Sequence, residues 1–160
     1  MTFIEDLLEE DVKVVKALRN LTNVKFKCST GNEFVHDLKL LKDTVKYPFF
    51  FINSTAVEYD RQNPQETIVS VGEIVIATKS LSEWTSEQRR SKSFEPILVP
   101  FLETFLEHVR VNSQGVVLSE EGKVKLHYFY GKQGLYGTDG NVFEDAVDAI
   151  QLLNFKFRIL

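Results

Sequence analysis

The apolar residues of this chain recur in two rhythms, one near 3.6 residues and one of two, and the switches between them mark out its elements. Between Thr2 and Asn20, the residues Ile4, Leu7, Leu8, Val15 and Leu18, with Val14 alongside, keep the helical period and predict an amphipathic surface helix. Thr2 and Glu5 match the capping box, which satisfies two backbone N–H groups at a helix start. Glu5, Asp6, Glu9 and Glu10 stand toward the positive end of that helix, and Lys13, Lys16 and Arg19 toward the other. Val24 to Cys28 alternates weakly and predicts a short strand, closed by the turn cluster Ser29-Thr30-Gly31-Asn32. Phe34, Leu38, Leu41 and Val45 predict a second helix over 33–45. Tyr47-Pro48 ends it, because the residue before a proline is pushed to extended geometry.

From Phe49 the period of two takes over. Residues 49–58 and 66–79 read as strands of an antiparallel hairpin, with the polar cluster Asp60 to Gln65 as its loop. Plain alternation along Thr67 to Thr78 puts Ile68, Ile74 and Ile76 on one side and Val69, Val71, Val75 and Ala77 on the other. Both faces are then largely apolar, and both need cover. Gly72-Glu73 interrupts this strand, where a bulge is expected that re-aims Glu73. The polar segment Ser82 to Ser93 predicts a helical turn from Thr85 or Ser86. The main helix follows, with Phe94, Ile97, Leu98, Phe101, Leu102, Phe105, Leu106 and Val109 as a broad apolar stripe. Pro96 suits a first turn, whereas Pro100 lacks an N–H inside the helix and is expected to kink it. Val116 to Leu118 and Lys123 to Tyr130 read as two strands joined by a tight turn. Gly131, Gly134, Gly137 and Gly140 mark a loop, Phe143 to Ala146 a helical turn, and Ala149 to Leu160 a closing strand.

Composition narrows the function classes. With 160 residues, 43% hydrophobic and 26% charged, the chain is expected to fold as a single domain spanning 1–160. A net charge of −4 gives no overall positive field to hold a phosphate backbone, so sequence-specific nucleic-acid binding is not expected. Cys28 has no partner for a disulfide, and no stretch reaches the roughly 18 apolar residues of a membrane span. A cytoplasmic product without signal peptide or membrane anchor is the expectation.

No catalytic constellation stands out in the sequence. His36, His108 and His127 fall in separate elements with no metal-ligand spacing, and neither a G-x-S-x-G elbow nor a G-x-x-x-x-G-K-S/T phosphate loop occurs. Asp60 and Glu73 lie on adjacent strands, but Lys79 stands six residues from Glu73, where a nuclease pattern places acid and lysine two apart. Glu144, Asp145 and Asp148 read as a solvated turn. No catalytic residue, metal ligand or cofactor site is expected. The one concentrated positive feature is Arg89-Arg90-Ser91-Lys92 beside Trp84. Its ordinary reading is a solvated approach to the helix. Its functional reading makes Trp84, Arg89, Arg90 and Lys92 an oligomer or partner contact, since Trp and Arg offer large area with directional polar groups.

The order of helix, Tyr47-Pro48 strand, long hairpin strand ending Thr78-Lys79-Ser80, polar arm with Arg90 and the helix Ser93-Phe94-x-x-Ile97-Leu98 resembles the tail terminator (tail completion) proteins of long-tailed phages. The glycine-rich loop, Val147-Asp148-Ala149-Ile150 and the closing strand are similar to the end of that family. The resemblance implies an α+β fold, with a twisted, mainly antiparallel sheet and helices packed on one face. It also implies a non-enzymatic virion protein, assembled in the host cytoplasm into a homo-oligomeric ring, commonly of six. Such a ring caps the tail tube and docks to head connector proteins. The alternatives are another head-tail connector or neck protein, and a small-ligand-binding or hydrolytic α+β domain in which Trp84, Tyr128 and Tyr130 line a cavity.

Overall fold

The computed structural model describes residues 3–111, 116–119, 122–128 and 146–159. Within them the fold is α+β, built on one sheet of seven strand segments that pair antiparallel except at one edge. Helix α1 (Ile4–Leu18) buries Ile4, Leu8, Val12 and Val15, spaced by four, four and three as its periodicity requires. It starts one residue later than the capping box implies. Phe3 occupies the N-cap and offers no side-chain cap; instead the Ile4 N–H donates to the hydroxyl of Tyr59 at 3.0 Å. The other end closes as a Schellman turn. Asn20 takes the left-handed conformation, φ 53°, while its N–H and that of Leu21 donate to the Ala17 and Lys16 carbonyls.

The second helix is shorter than expected and broken. Helix α2 (Gly31–Lys39) begins inside the cluster read as a turn, because the Thr30 hydroxyl accepts the Glu33 N–H and caps it. Helix α3 (Asp43–Lys46) follows, and Tyr47-Pro48 stops it.

Strand β1 (Lys25–Ser29) pairs parallel with β2 (Phe49–Asn53), which pairs antiparallel with the first long strand, β4 (Glu66–Lys79). Strand β3 (Val57–Asn63) continues the line of β2 along the same edge of β4 after a short 3-10 turn, Ser54–Ala56. The hairpin loop is therefore tighter than the sequence suggests. It is Pro64-Gln65 alone, held by the Asn63 side chain, which accepts the Gln65 N–H at 2.9 Å. On the other side β4 pairs along its length with β7 (Val147–Ile159).

The segments β5 (Val116–Ser119) and β6 (Lys123–His127) do not form the expected hairpin. Both pair with β7, one with residues 156–159 and the other with 149–153, so they lie end to end as one edge strand. A side chain at Gly122, between them, would run into the Phe155 ring. The glycine loop from Gly131 to Gly140, Tyr130 and the helical turn from Phe143 lie outside the described residues.

A line of irregularity crosses the sheet and changes which residues share a face. Gly72 and Asn154 are skipped in the β4–β7 register, Asn154 is left-handed at φ 58°, and Ser54–Ala56 stands beside them. The expected bulge is thus present. It also overturns plain alternation, since Val69 and Val71 join Ile74 and Ile76 on the side that faces α1, with Leu152, Phe155 and Phe157 of β7. Val75 and Ala77 face the other way, as does Ile68. Glu73 is re-aimed along the sheet, accepting from Asn53 at 3.2 Å and from Gln151 at 2.5 Å.

The main helix runs as a first turn, α4 (Ser86–Arg89), a wide-wound π segment (Arg90–Leu98) and α5 (Val99–Val111). The wide winding surrounds Pro96 and precedes Pro100, the two residues that cannot donate to an i−4 carbonyl. At its end the Val99 N–H reaches back five residues to the Phe94 carbonyl. Phe94, Leu98, Phe101, Phe105 and Val109 are buried with α1 over one face of the sheet. The two long helices therefore share a face. The short α2 adds a cover on the opposite one, where Phe34 stacks on Phe51 at 4.2 Å and meets Phe49 edge-on at 4.9 Å.

Candidate functional site

The polar arm after β4 is shaped by its own caps. Thr85 accepts the Gln88 N–H and Gln88 accepts the Thr85 N–H, a capping box that starts α4 at Ser86 as the sequence suggests. This turn carries Arg89 inward. Its guanidinium meets the Asp148 carboxylate and the Ser80 hydroxyl, at 2.7 and 2.8 Å, and donates to the Leu81 carbonyl at 2.7 Å. Arg89 is 4% exposed and Asp148 fully buried. Both sequence readings need correction here. Arg89 is not a surface contact, and Asp148 is not part of a solvated turn; together they tie the end of β4 and the start of β7 to the main helix. The signal available was Asp148 itself, a single acid within the apolar run Val147, Ala149, Ile150.

The other three residues of the cluster do reach the surface. The Lys92 ammonium lies 5.1 Å from the centre of the half-buried Trp84 ring. The exposed Arg90 pairs with Glu95 of its own helix at 2.8 Å, so its charge is already matched. Such a pair contributes about 0–1 kcal/mol and leaves the surface close to neutral there.

A second surface lies across the π segment. Val124, Leu126 and Tyr128 project from the β6 side toward the helical face and remain 46%, 51% and 47% exposed. Tyr128 meets the Phe94 ring edge-on at 4.8 Å. Val124 and Leu126 stand opposite Leu152 and Ile150 of the core, so the apolar face of the sheet runs on past its helical cover. Lys123 and Lys125 point to the other face. The sequence showed the alternation of this strand but not that helices would leave its apolar side uncovered.

Groups capable of chemistry do not converge. Among the described residues no three His, Cys, Asp or Glu stand close enough to hold a metal ion. His108 meets the buried Asp11 at 3.1 Å, linking α5 to α1, and His127 meets Gln151 at 2.9 Å. His127, Gln151, Glu73 and Asn53 thus form a polar row across four strands, a feature not expected from the sequence. Asp60 accepts from Gln62 and lies away from Glu73. Burial pushes the Cys28 thiol up to about 11, with Glu5 adding to the shift, so it is a thiol and not a nucleophile at neutral pH. One groove of about 410 Å³, lined by Ala56, Glu58, Ser70, Gly72, Asn154 and Lys156, opens where the sheet is irregular. Trp84 and Tyr128, expected to line a cavity in the ligand-binding alternative, are instead matched with Lys92 and Phe94. No described helix is long and apolar enough to cross a membrane.

No protein-family model matches the chain, and no curated protein matches it.

Proposed function

We propose that this chain is a structural protein of a phage or prophage tail. It acts without catalysis, as a subunit of a homo-oligomeric ring that caps the tail tube and docks to the head connector. The observation that carries the assembly part is the apolar face left open at the edge, where Val124 and Leu126 continue the core and stay about half exposed beside Tyr128, which packs one edge on Phe94. Apolar groups placed in this way are stabilised when another surface removes them from water. Trp84 with Lys92 lies on the same arm-and-helix side and suits a contact rim. The phage part is supported by the element order: a β2–β4 hairpin after Tyr47-Pro48, a polar arm, a long helix and a closing strand.

The test is incubation of the purified chain with tail tubes lacking a terminator, followed by electron microscopy. The account expects density at one tube end and a halt to further tube growth. Tubes that stay bare and continue to lengthen would remove the tail assignment.

A further inference from the structure

Four described strands have an edge with no ladder partner among the described residues: β1 and β3 on one side of the sheet, and β5 and β6, end to end, on the other. Such edges are templates for another chain unless charge or cover prevents it. On β3 the side chains of Glu58 and Asp60 stand opposite Ser70 and Ile68, on the sheet face away from α1 and α5, and both are exposed. Val57 and Tyr59 point to the helical face. On β6 the pattern is the same with the opposite sign, Lys123 and Lys125 outward and Val124 and Leu126 on the helical face.

We propose that β6 of one copy pairs antiparallel with β3 of the next, extending the sheet from subunit to subunit. This deepens the ring reading above and rests on its self-assembly. Strand directions fit it. β3 and β7 both run opposite to β4, and β6 runs opposite to β7, so a copy placed alongside in the same orientation brings the two edges together antiparallel with their faces matched. With Lys123 opposite Asp60 and Lys125 opposite Glu58, the register also sets Val124 against Tyr59 and Leu126 against Val57. Every facing pair is then either oppositely charged or apolar, the combinations that stabilise neighbouring strands.

Other pairings of these edges are poorer. β6 against β6 brings Lys to Lys, and β3 against β3 brings acid to acid, which destabilises a ladder. Strand β1 also carries outward lysines, but Lys27 is held by Asp37 at 2.9 Å and Phe26 packs on Phe50. A β6-to-β3 contact joins two different surfaces, so it propagates in one direction and ends only by closing. In each subunit β3 lies opposite 67–71 of β4, and β6 lies level with 73–77. Successive copies therefore step along the strand by about five residues, roughly 17 Å at ~3.4 Å per residue. A closed ring needs its strands tilted against the ring axis to absorb that step, as strands tilt in a barrel.

The experiment is a charge swap in the full chain, read by light-scattering mass. Lys123→Glu with Lys125→Glu, and separately Glu58→Lys with Asp60→Lys, should each reduce the mass to one chain of 18.4 kDa. Circular dichroism should stay unchanged, because all four side chains are exposed. Mixing the two double variants, or combining all four changes in one chain, should restore the wild-type mass. If the wild type assembles and both double variants assemble equally well, the edge pairing is wrong and the ring reading stands. A wild type that stays at one chain overturns both.

Discussion

Arg89 is the residue on which the joint between sheet and main helix depends. It is a buried charge whose partners come from two places in the chain: Asp148 on β7, and the Ser80 hydroxyl and Leu81 carbonyl just after β4. Removing one member leaves the other charge buried without its match, a loss of about 3–5 kcal/mol. Urea denaturation of Arg89→Ala and Asp148→Ala should each show a loss of that size, and the double variant clearly less than their sum. Additive losses would mean that the two side chains do not act as a pair. The sequence presented Arg89 and Arg90 as equals. Only the capping box at Thr85, which fixes the phase of α4, turns one inward and the other out. Cys28 tests burial at strand β1. With its thiol held up at about 11, alkylation at pH 8 should be far slower than for a free thiol. The unfolded thiol ionises first, near 9, so this group makes stability fall as pH rises from about 9 toward 11. Rapid alkylation of the folded chain at pH 8 would show that β1 opens easily.

At the scale of elements, the line through Ser54–Ala56, Gly72, Asn154 and Gly122 decides how the sheet is used. It lets one long hairpin strand give Val69, Val71, Ile74 and Ile76 to the same helices, and it turns Glu73 into the polar row with Asn53 and Gln151. A Cβ at Gly72 would stand 2.8 Å from the Ala56 Cβ, closer than two carbons pack. Gly72→Ala should therefore cost about 1–3 kcal/mol in thermal or urea unfolding, the usual penalty for overpacking. An unchanged midpoint would show that the bend has room to shift. Much at this scale was readable beforehand. The periodicities located α1, α2, the 49–79 hairpin, the stripe from Phe94 to Val109 and the last strand, because each is a local pattern of burial. Two things were not. The winding of 90–98 depends on where the carbonyls before Pro96 and Pro100 can find donors. The in-line arrangement of β5 and β6 depends on β7, about thirty residues further along, and a glycine between two apolar runs looks the same in a hairpin turn and in a kinked edge.

For the molecule as a whole, the balance is between a core that is finished and a rim that is not. The helical face is filled by aromatic contacts such as Phe50 on Phe105 at 5.1 Å, and α2 closes the opposite face over Phe49 and Phe51. Among the apolar groups that remain in water, Val124, Leu126 and Tyr128 stand together at β6, and the lysines between them are opposite in sign to the acids of β3. The cover that both faces of the long hairpin strand need is supplied by the chain's own helices. The need for a partner lies instead at the edge of the sheet, a position no single-strand pattern could reveal. Contacts of this kind weaken with added salt through their ion pairs and persist through their apolar part. The most direct test is the light-scattering molar mass of the unaltered chain across a range of concentrations at low salt. The account predicts a discrete multiple of 18.4 kDa that falls as salt is raised. A constant mass of one chain at every concentration and salt would contradict it.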